Sequence, residues 1–243
     1  MIKKINKMIV KIVFFISNFT ACFIPGADRR HRWRGKINIF LLYPFICRFI
    51  KKNYAENIKS ISFIRQRTLN RMVCLVNDRI YVKVFRNVSV ENLQNYGFLL
   101  KYIKPMIDVI TPNVIVDNLI PMYGCARIPG RTVMTFDKIH VLKNEDKILA
   151  QVSKLISQLQ QIDVQKIPGY ERFMDSMQFR TPELDTDNKR YVLAHFDLNM
   201  MNVLFDDELN ICSVIDWDTL SVATNPDTDW RIFTKYWNRF KLG

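Results

Sequence analysis

The chain has 243 residues, 49% of them hydrophobic, and a formal net charge of +13. That length holds one large domain or two lobes sharing a core, and the apolar content excludes general disorder. Five scattered cysteines (Cys22, Cys47, Cys74, Cys125 and Cys212), none in a Cys-x-x-Cys pair, argue against a disulfide framework and a zinc site; they read as reduced thiols of a cytoplasmic protein.

The charge is concentrated at one end. Residues 1–52 hold twelve Lys and Arg against the single acid Asp28, so the basic field belongs to an N-terminal extension. Lys4, Lys7, Lys11 and Asn18 fall on one helical stripe among Ile, Val and Phe. This suits a helix lying in a membrane interface, because a spanning helix needs about 20 apolar residues without a central charge. Packing on the main domain, or a spanning or cleaved segment, are the alternatives. A basic cluster, "DRRHRWRGK", precedes a second apolar stretch, "INIFLLYPFICRFI", which Pro44 is expected to kink. Lys and Arg beside such stretches are drawn to anionic lipid by roughly 1 kcal/mol each. Apolar residues interleaved with the charges argue against a nucleic-acid-binding arm.

From residue 57 the pattern changes. "NIKSISFI" and "RMVCLVNDRIYVKVF" read as strands, with Asn77 and Asp78 as a tight turn. Val90 to Ile103 has helical spacing and ends at Pro105. "NVIVDN" and "IPMYGCARI" suggest two more strands, closed by Pro129 and Gly130. Ile148, Val152, Leu155, Leu159 and Ile162 alternate spacings of four and three, marking a helix from about Glu145 to Ile162. "YVLA", "NVLFD" and "CSVIDW" read as short strands around a polar segment. The economical architecture is α+β, a small sheet lobe joined to a helical lobe.

The polar segment is "HFDLNMMN", residues 195–202, followed by "IDWD" at 215–218. Phosphoryl transfer needs positioning, divalent metal on the triphosphate and a carboxylate near the attacking hydroxyl. Asp197 can accept or orient the hydroxyl proton, Asn202 can reach a metal through its amide oxygen, and Asp216 can supply an anionic oxygen to Mg²⁺.

On these two motifs the chain resembles the aminoglycoside phosphotransferase and choline kinase family, relatives of the protein kinases. The family's loop reads His-Gly-Asp-x-x-x-x-Asn, followed by Ile-Asp-Trp-Asp or Glu. The resemblance implies a two-lobed protein kinase-like fold: a basic apolar helical extension over 1–56, a nucleotide-binding sheet lobe over 57–128 and a short, mainly helical lobe over 129–243. It implies ATP and Mg²⁺ as cofactors. Asp197 looks like the catalytic aspartate, His195 like a residue fixing the loop, Asn202 and Asp216 like the Mg²⁺ ligands with Asp218 a candidate third, and Asp229 of "NPDTDW" like the brace of the catalytic loop. "IYVKVF" nominates Lys83 for the nucleotide phosphates, "RTLNR" at 67–71 brings Asn70 to the turn between the first strands, and "ARIPG" matches the crossing between lobes. Glu91 is the acidic candidate to pair with Lys83. The chain departs from the pattern in four places: no glycine lies between Gly35 and Gly97, Glu91 follows Lys83 by only eight residues while Asn95 is nearer the expected place, Phe196 stands where the family has glycine, and only 27 residues follow Asp216.

The leading expectation is an ATP-dependent kinase acting on a hydroxyl of a small molecule or sugar. The leader "FIPGADRRHRWRG" is similar to leaders of bacterial enzymes that build surface polysaccharide, which favours a lipopolysaccharide or capsule sugar at the inner membrane face over an aminoglycoside or choline. A kinase-like binding module with weak or absent catalysis is the alternative.

Overall fold

Apolar alternation in residues 61–126 builds one antiparallel sheet. The computed structural model describes residues 2–64, 70–169, 191–223 and 225–242. Within them β1 (Ile61–Ile64), β2 (Arg71–Val76), β3 (Ile80–Phe85), β4 (Ile115–Val116) and β5 (Met122–Ala126) lie in the order β1-β2-β3-β5-β4. Asn77 and Asp78 both take left-handed backbone at the β2–β3 turn, the two-residue geometry that matches the twist of paired strands. Part of the "RTLNR" turn, residues 67–69, lies outside the described residues.

Side chains alternate across a strand, so this sheet has two different faces. On one, Met72, Cys74, Val82 and Val84 are fully buried beneath α1 (Ile2–Ala21) and α2 (Ala27–Tyr54), which contribute Val10, Phe14, Leu42, Ile46, Phe49 and Ile50 to the same core. The extension is thus the cover of the sheet. Gly124 on β5 allows the close approach, because a Cβ there would sit 2.6 Å from the Phe49 ring. Burial pushes the Cys74 thiol up to about 12, which fits a packed, inert thiol. The helix α2 continues through Pro44, although the proline removes one backbone donor. Among the described residues no helix is long and apolar enough to cross a membrane. The second face carries Tyr81 and Phe85 of β3 with Tyr123 and Cys125 of β5, packed against Leu93 and Tyr96 of α3 (Val90–Ile103).

The chain divides into two units, residues 1–97 with 113–127 and residues 98–112 with 128–243. In the second unit α4 (Lys138–Lys143) is capped by Asp137, whose side chain accepts the His140 N–H, and leads into α5 (Glu145–Gln161). The expected stripe of α5 is buried, Ile148, Val152 and Leu159 completely. Here β6 (Arg131–Thr132), β8 (Val203–Phe205) and β9 (Ile211–Val214) form a three-stranded antiparallel sheet, while β7 (Val192–Ala194) pairs with β10 (Ser221–Ala223). The last element is α6 (Thr228–Leu242), which buries Phe233 and Trp237; the Trp237 indole donates to Glu145 Oε1 at 2.8 Å.

Candidate active site

Two short strand pairs deliver the polar residues to one place. The β7 strand ends at Ala194, so His195 opens the loop that runs to Asn202, where β8 begins. Across the hairpin Val203 pairs with Val214, and the Ile215 N–H donates to the Asn202 carbonyl at 2.9 Å. This backbone bond fixes Asn202 and Asp216 at the same end of the β8–β9 hairpin.

The loop is closed by its own amides. Asn202 Nδ2 donates to the Asp197 carbonyl at 2.8 Å and to Asp197 Oδ2 at 3.0 Å. Asn199 Nδ2 donates to the same carbonyl and to Asp197 Oδ1, both at 2.9 Å, while its own oxygen accepts the Met201 N–H. Each carboxylate oxygen of Asp197 therefore has an amide donor that sets its direction. Both Asn202 donor contacts are directed at Asp197. Asn199 had no assigned role in the sequence, since nothing in its spacing separates it from an ordinary turn former.

His195 is wholly buried, with its ring 4.6 Å from that of Trp217. Its Nε2 lies 3.1 Å from the Ile215 carbonyl and its Nδ1 accepts the Asp197 N–H at 3.3 Å. This pattern assigns the neutral Nε2–H tautomer, with both nitrogens tied to backbone. The geometry suits a residue that holds the loop rather than one that shuttles protons. Thr219 adds a further tie, donating from Oγ1 to the His195 carbonyl at 2.7 Å.

Asp229, in the first turn of α6, braces the loop from below. Its carboxylate accepts the His195 N–H at 2.7 Å and the Phe196 N–H at 2.8 Å. Only 2% of it is exposed, and burial pushes its carboxyl up to about 6, against the two N–H bonds and with the neighbouring Asp197 charge adding to the rise. Phe196, where the family has glycine, sits at φ +61° and packs on Val192, Ala194 and Ala223. Asp216 is also left-handed, at φ +62°, and starts the 3-10 turn Trp217–Thr219 that contains Asp218. Non-glycine residues in this region carry strain that only the surrounding structure can hold.

The remaining candidates lie in the first unit. Lys83 is half-buried on the central strand β3, opposite Tyr123, with Nζ 5.5 Å from that ring's centroid. Its position in the alternation puts it on the face away from α1 and α2. Glu91 is exposed in the first turn of α3, and Asn95 is half-buried one turn on. Asn70 is exposed just before β2, where its carbonyl accepts the Arg86 N–H.

No family model and no curated protein matches the sequence. Solved structures do. The GDP complex of wild-type aminoglycoside 2'-phosphotransferase-IIIa superposes with a TM-score of 0.59, at 13% identity, over 82% of this chain and 79% of that one. The chain has the aminoglycoside phosphotransferase fold. The apoenzyme of macrolide 2'-phosphotransferase MphH from Brachybacterium faecium is similar with a TM-score of 0.54, at 16% identity over 82% of both chains. The gentamicin complex of APH(2'')-IIa gives 0.55 at 16% identity, over 78% of this chain and 72% of that one. The protein kinase-like, mixed helix and sheet architecture expected from the two motifs is therefore present.

Proposed function

We propose that the protein is an ATP-dependent phosphotransferase that phosphorylates a hydroxyl group of a small molecule or sugar. The reading rests on one observation: the Ile215–Asn202 backbone bond carries Asn202 and Asp216 to one end of the β8–β9 hairpin, and the amides of Asn199 and Asn202 hold the Asp197 carboxylate. Their donor set of carboxylate and amide oxygens suits Mg²⁺, which prefers hard oxygen ligands. Bound Mg²⁺ would neutralise charge on the triphosphate as the phosphoryl group leaves. Asp197 orients the acceptor hydroxyl and takes its proton, while Asn202 Oδ1 and Asp216 hold the metal, with Asp218 two residues on as a further ligand. His195 and Asp229 keep the loop in register. Lys83 holds nucleotide phosphate, Glu91 is its acidic partner, and Asn70 belongs to the turn over the nucleotide.

The acceptor we favour is a sugar of a cell-surface glycan, lipopolysaccharide or capsule, met at the cytoplasmic face of a membrane. Supporting this, α1 leaves Ile12, Phe15 and Phe19 exposed, Phe23 is exposed just after the helix, and twelve Lys and Arg accompany them in residues 1–52. Such a surface suits peripheral attachment to anionic lipid.

The test is thermal stability under Mg-ATP titration, since a ligand that binds the folded state alone raises the melting temperature. A rise in the parent that is lost in Asp216→Asn supports the phosphotransferase. No rise in the parent refutes it and leaves a nucleotide-free binding module. Phosphate transfer to lipopolysaccharide or capsule glycan, aminoglycoside and choline acceptors then ranks the substrates.

A further inference from the structure

Beside β1, the helix α2 forms a groove that the phosphotransferase site does not use. It has a volume of about 860 Å³; Arg32 and Lys36 line one end, and Phe40, Pro44, Ile61 and Phe63 line the apolar remainder. The sequence order explains the polarity. Positions 32, 36, 40 and 43 recur at helical spacing on one stripe of α2, so the cations of the stripe come first and its aromatic residues later. Gly35, buried on the same helix, admits the Phe63 ring, with which any Cβ there would collide. Phe40 is 75% exposed and Tyr43 is 41% exposed, so among the described residues nothing covers the apolar part of the groove. Among the described residues, neither Arg32 nor Lys36 is paired with an acid.

We infer that this groove binds one anionic phospholipid, its phosphate between Arg32 and Lys36 and an acyl chain along Phe40, Pro44 and Phe63. Charge complementarity selects this occupant. A cationic end running into an aromatic trough matches the head and tail of such a lipid, whereas free phosphate would leave the trough empty. The inference deepens the membrane-surface reading above and rests on it: the attachment is a defined seat and not only a diffuse basic field.

The experiment uses the full chain. Co-sedimentation with vesicles of equal parts phosphatidylglycerol and phosphatidylethanolamine is compared with phosphatidylcholine vesicles. The groove pair Arg32→Gln with Lys36→Gln is set against the equally charged control Lys51→Gln with Lys52→Gln at the exposed end of the same helix. Diffuse attraction of roughly 1 kcal/mol per charge weakens both pairs about equally, by about 30-fold. The seat predicts that the groove pair loses about tenfold more than the control, and that Phe40→Ser, which changes no charge, also weakens binding. A soluble short-chain phosphatidylglycerol should raise the melting temperature of the parent and not of the groove pair, and glycerol phosphate should raise neither. Equal losses in the two pairs overturn the seat while leaving membrane attachment standing. Absence of parent binding to anionic vesicles overturns both. A dimer dissociated by Phe40→Ser would show that a second copy fills the groove, which also overturns the lipid. A cooperative unfolding transition at the parent's melting temperature in each variant establishes that it is folded.

Discussion

Replacing Asp229 by Asn tests which force governs the tie between α6 and the 195–202 loop. The buried carboxylate accepts two backbone N–H bonds, and hydrogen bonds to the charged form should lower its proton affinity. Burial outweighs them and carries the carboxyl from an ordinary 3.8 up to about 6. A shift of roughly two units at about 1.4 kcal/mol each links at most about 3 kcal/mol of stability to pH. The native state binds this proton more readily than the unfolded chain. Its contribution is therefore fully present below the unfolded value near 4 and is lost as pH rises through about 6. The Asp229→Asn variant cannot titrate, so groups not coupled to Asp229 cancel in the comparison, and Asp197, its smallest cause of shift, adds only a minor difference. Urea unfolding of both proteins from about pH 8 to pH 4 should show the stability of the parent, relative to the variant, growing by about 2 to 3 kcal/mol toward acid. A difference that stays flat, or shrinks toward acid, would mean that the two N–H bonds dominate and that the argument from burial is wrong.

Asp197→Asn should lower kcat by about 10²- to 10⁴-fold and lower stability by about 1 kcal/mol, because the new amide nitrogen cannot accept from one of the two Asn donors; a variant with kcat within threefold of the parent's, about 0.7 kcal/mol, would remove Asp197 from the chemistry. Phe196→Gly should be close to neutral in stability, since relief of backbone strain of about 1 kcal/mol offsets the packing lost on Ala194 and Ala223. By contrast Phe196→Ile, which adds β-branching at φ +61°, should destabilise by about 2 kcal/mol; equal denaturation midpoints for the two variants would refute the strain. Deleting residues 1–52 removes Val10, Phe14, Leu42, Ile46, Phe49 and Ile50 from the sheet core. At about 1.5 to 3 kcal/mol each the loss exceeds what a typical domain can spare, so the truncated chain should lack a cooperative unfolding transition. A folded truncation would show that the helices are dispensable. Point substitutions, not truncation, are consequently the way to test membrane attachment.

Much of the fold was legible because its signals are periodic. The hairpin at Asn77 and Asp78, the α3 helix and the buried stripe of α5 follow directly from residue spacing. The loop and the hairpin after it were legible because "HFDLNMMN" and "IDWD" concentrate side chains that are costly to keep near a core unless they bond. What escaped was short or context-dependent. The two- and three-residue strands β6 and β10 carry too few residues for any period to register, and α4 is only six residues long. The clamp by Asn199 depends on a loop closing on itself, which spacing does not reveal. The extension divided its own signal: Lys11 and the phenylalanines read as an interface helix in the sequence, while Val10, Val13 and Phe14 belong to the protein core, so one sequence pattern was open to two readings.

The alternation along β3 has a mechanical outcome. Val82 and Val84 rest on the leader helices, and Lys83 between them points the other way, with a single peptide layer separating the two environments. Whatever presses or tilts those helices bears on the backbone that aims the lysine. Cover and lysine thus share one strand as a lever, each on its own side.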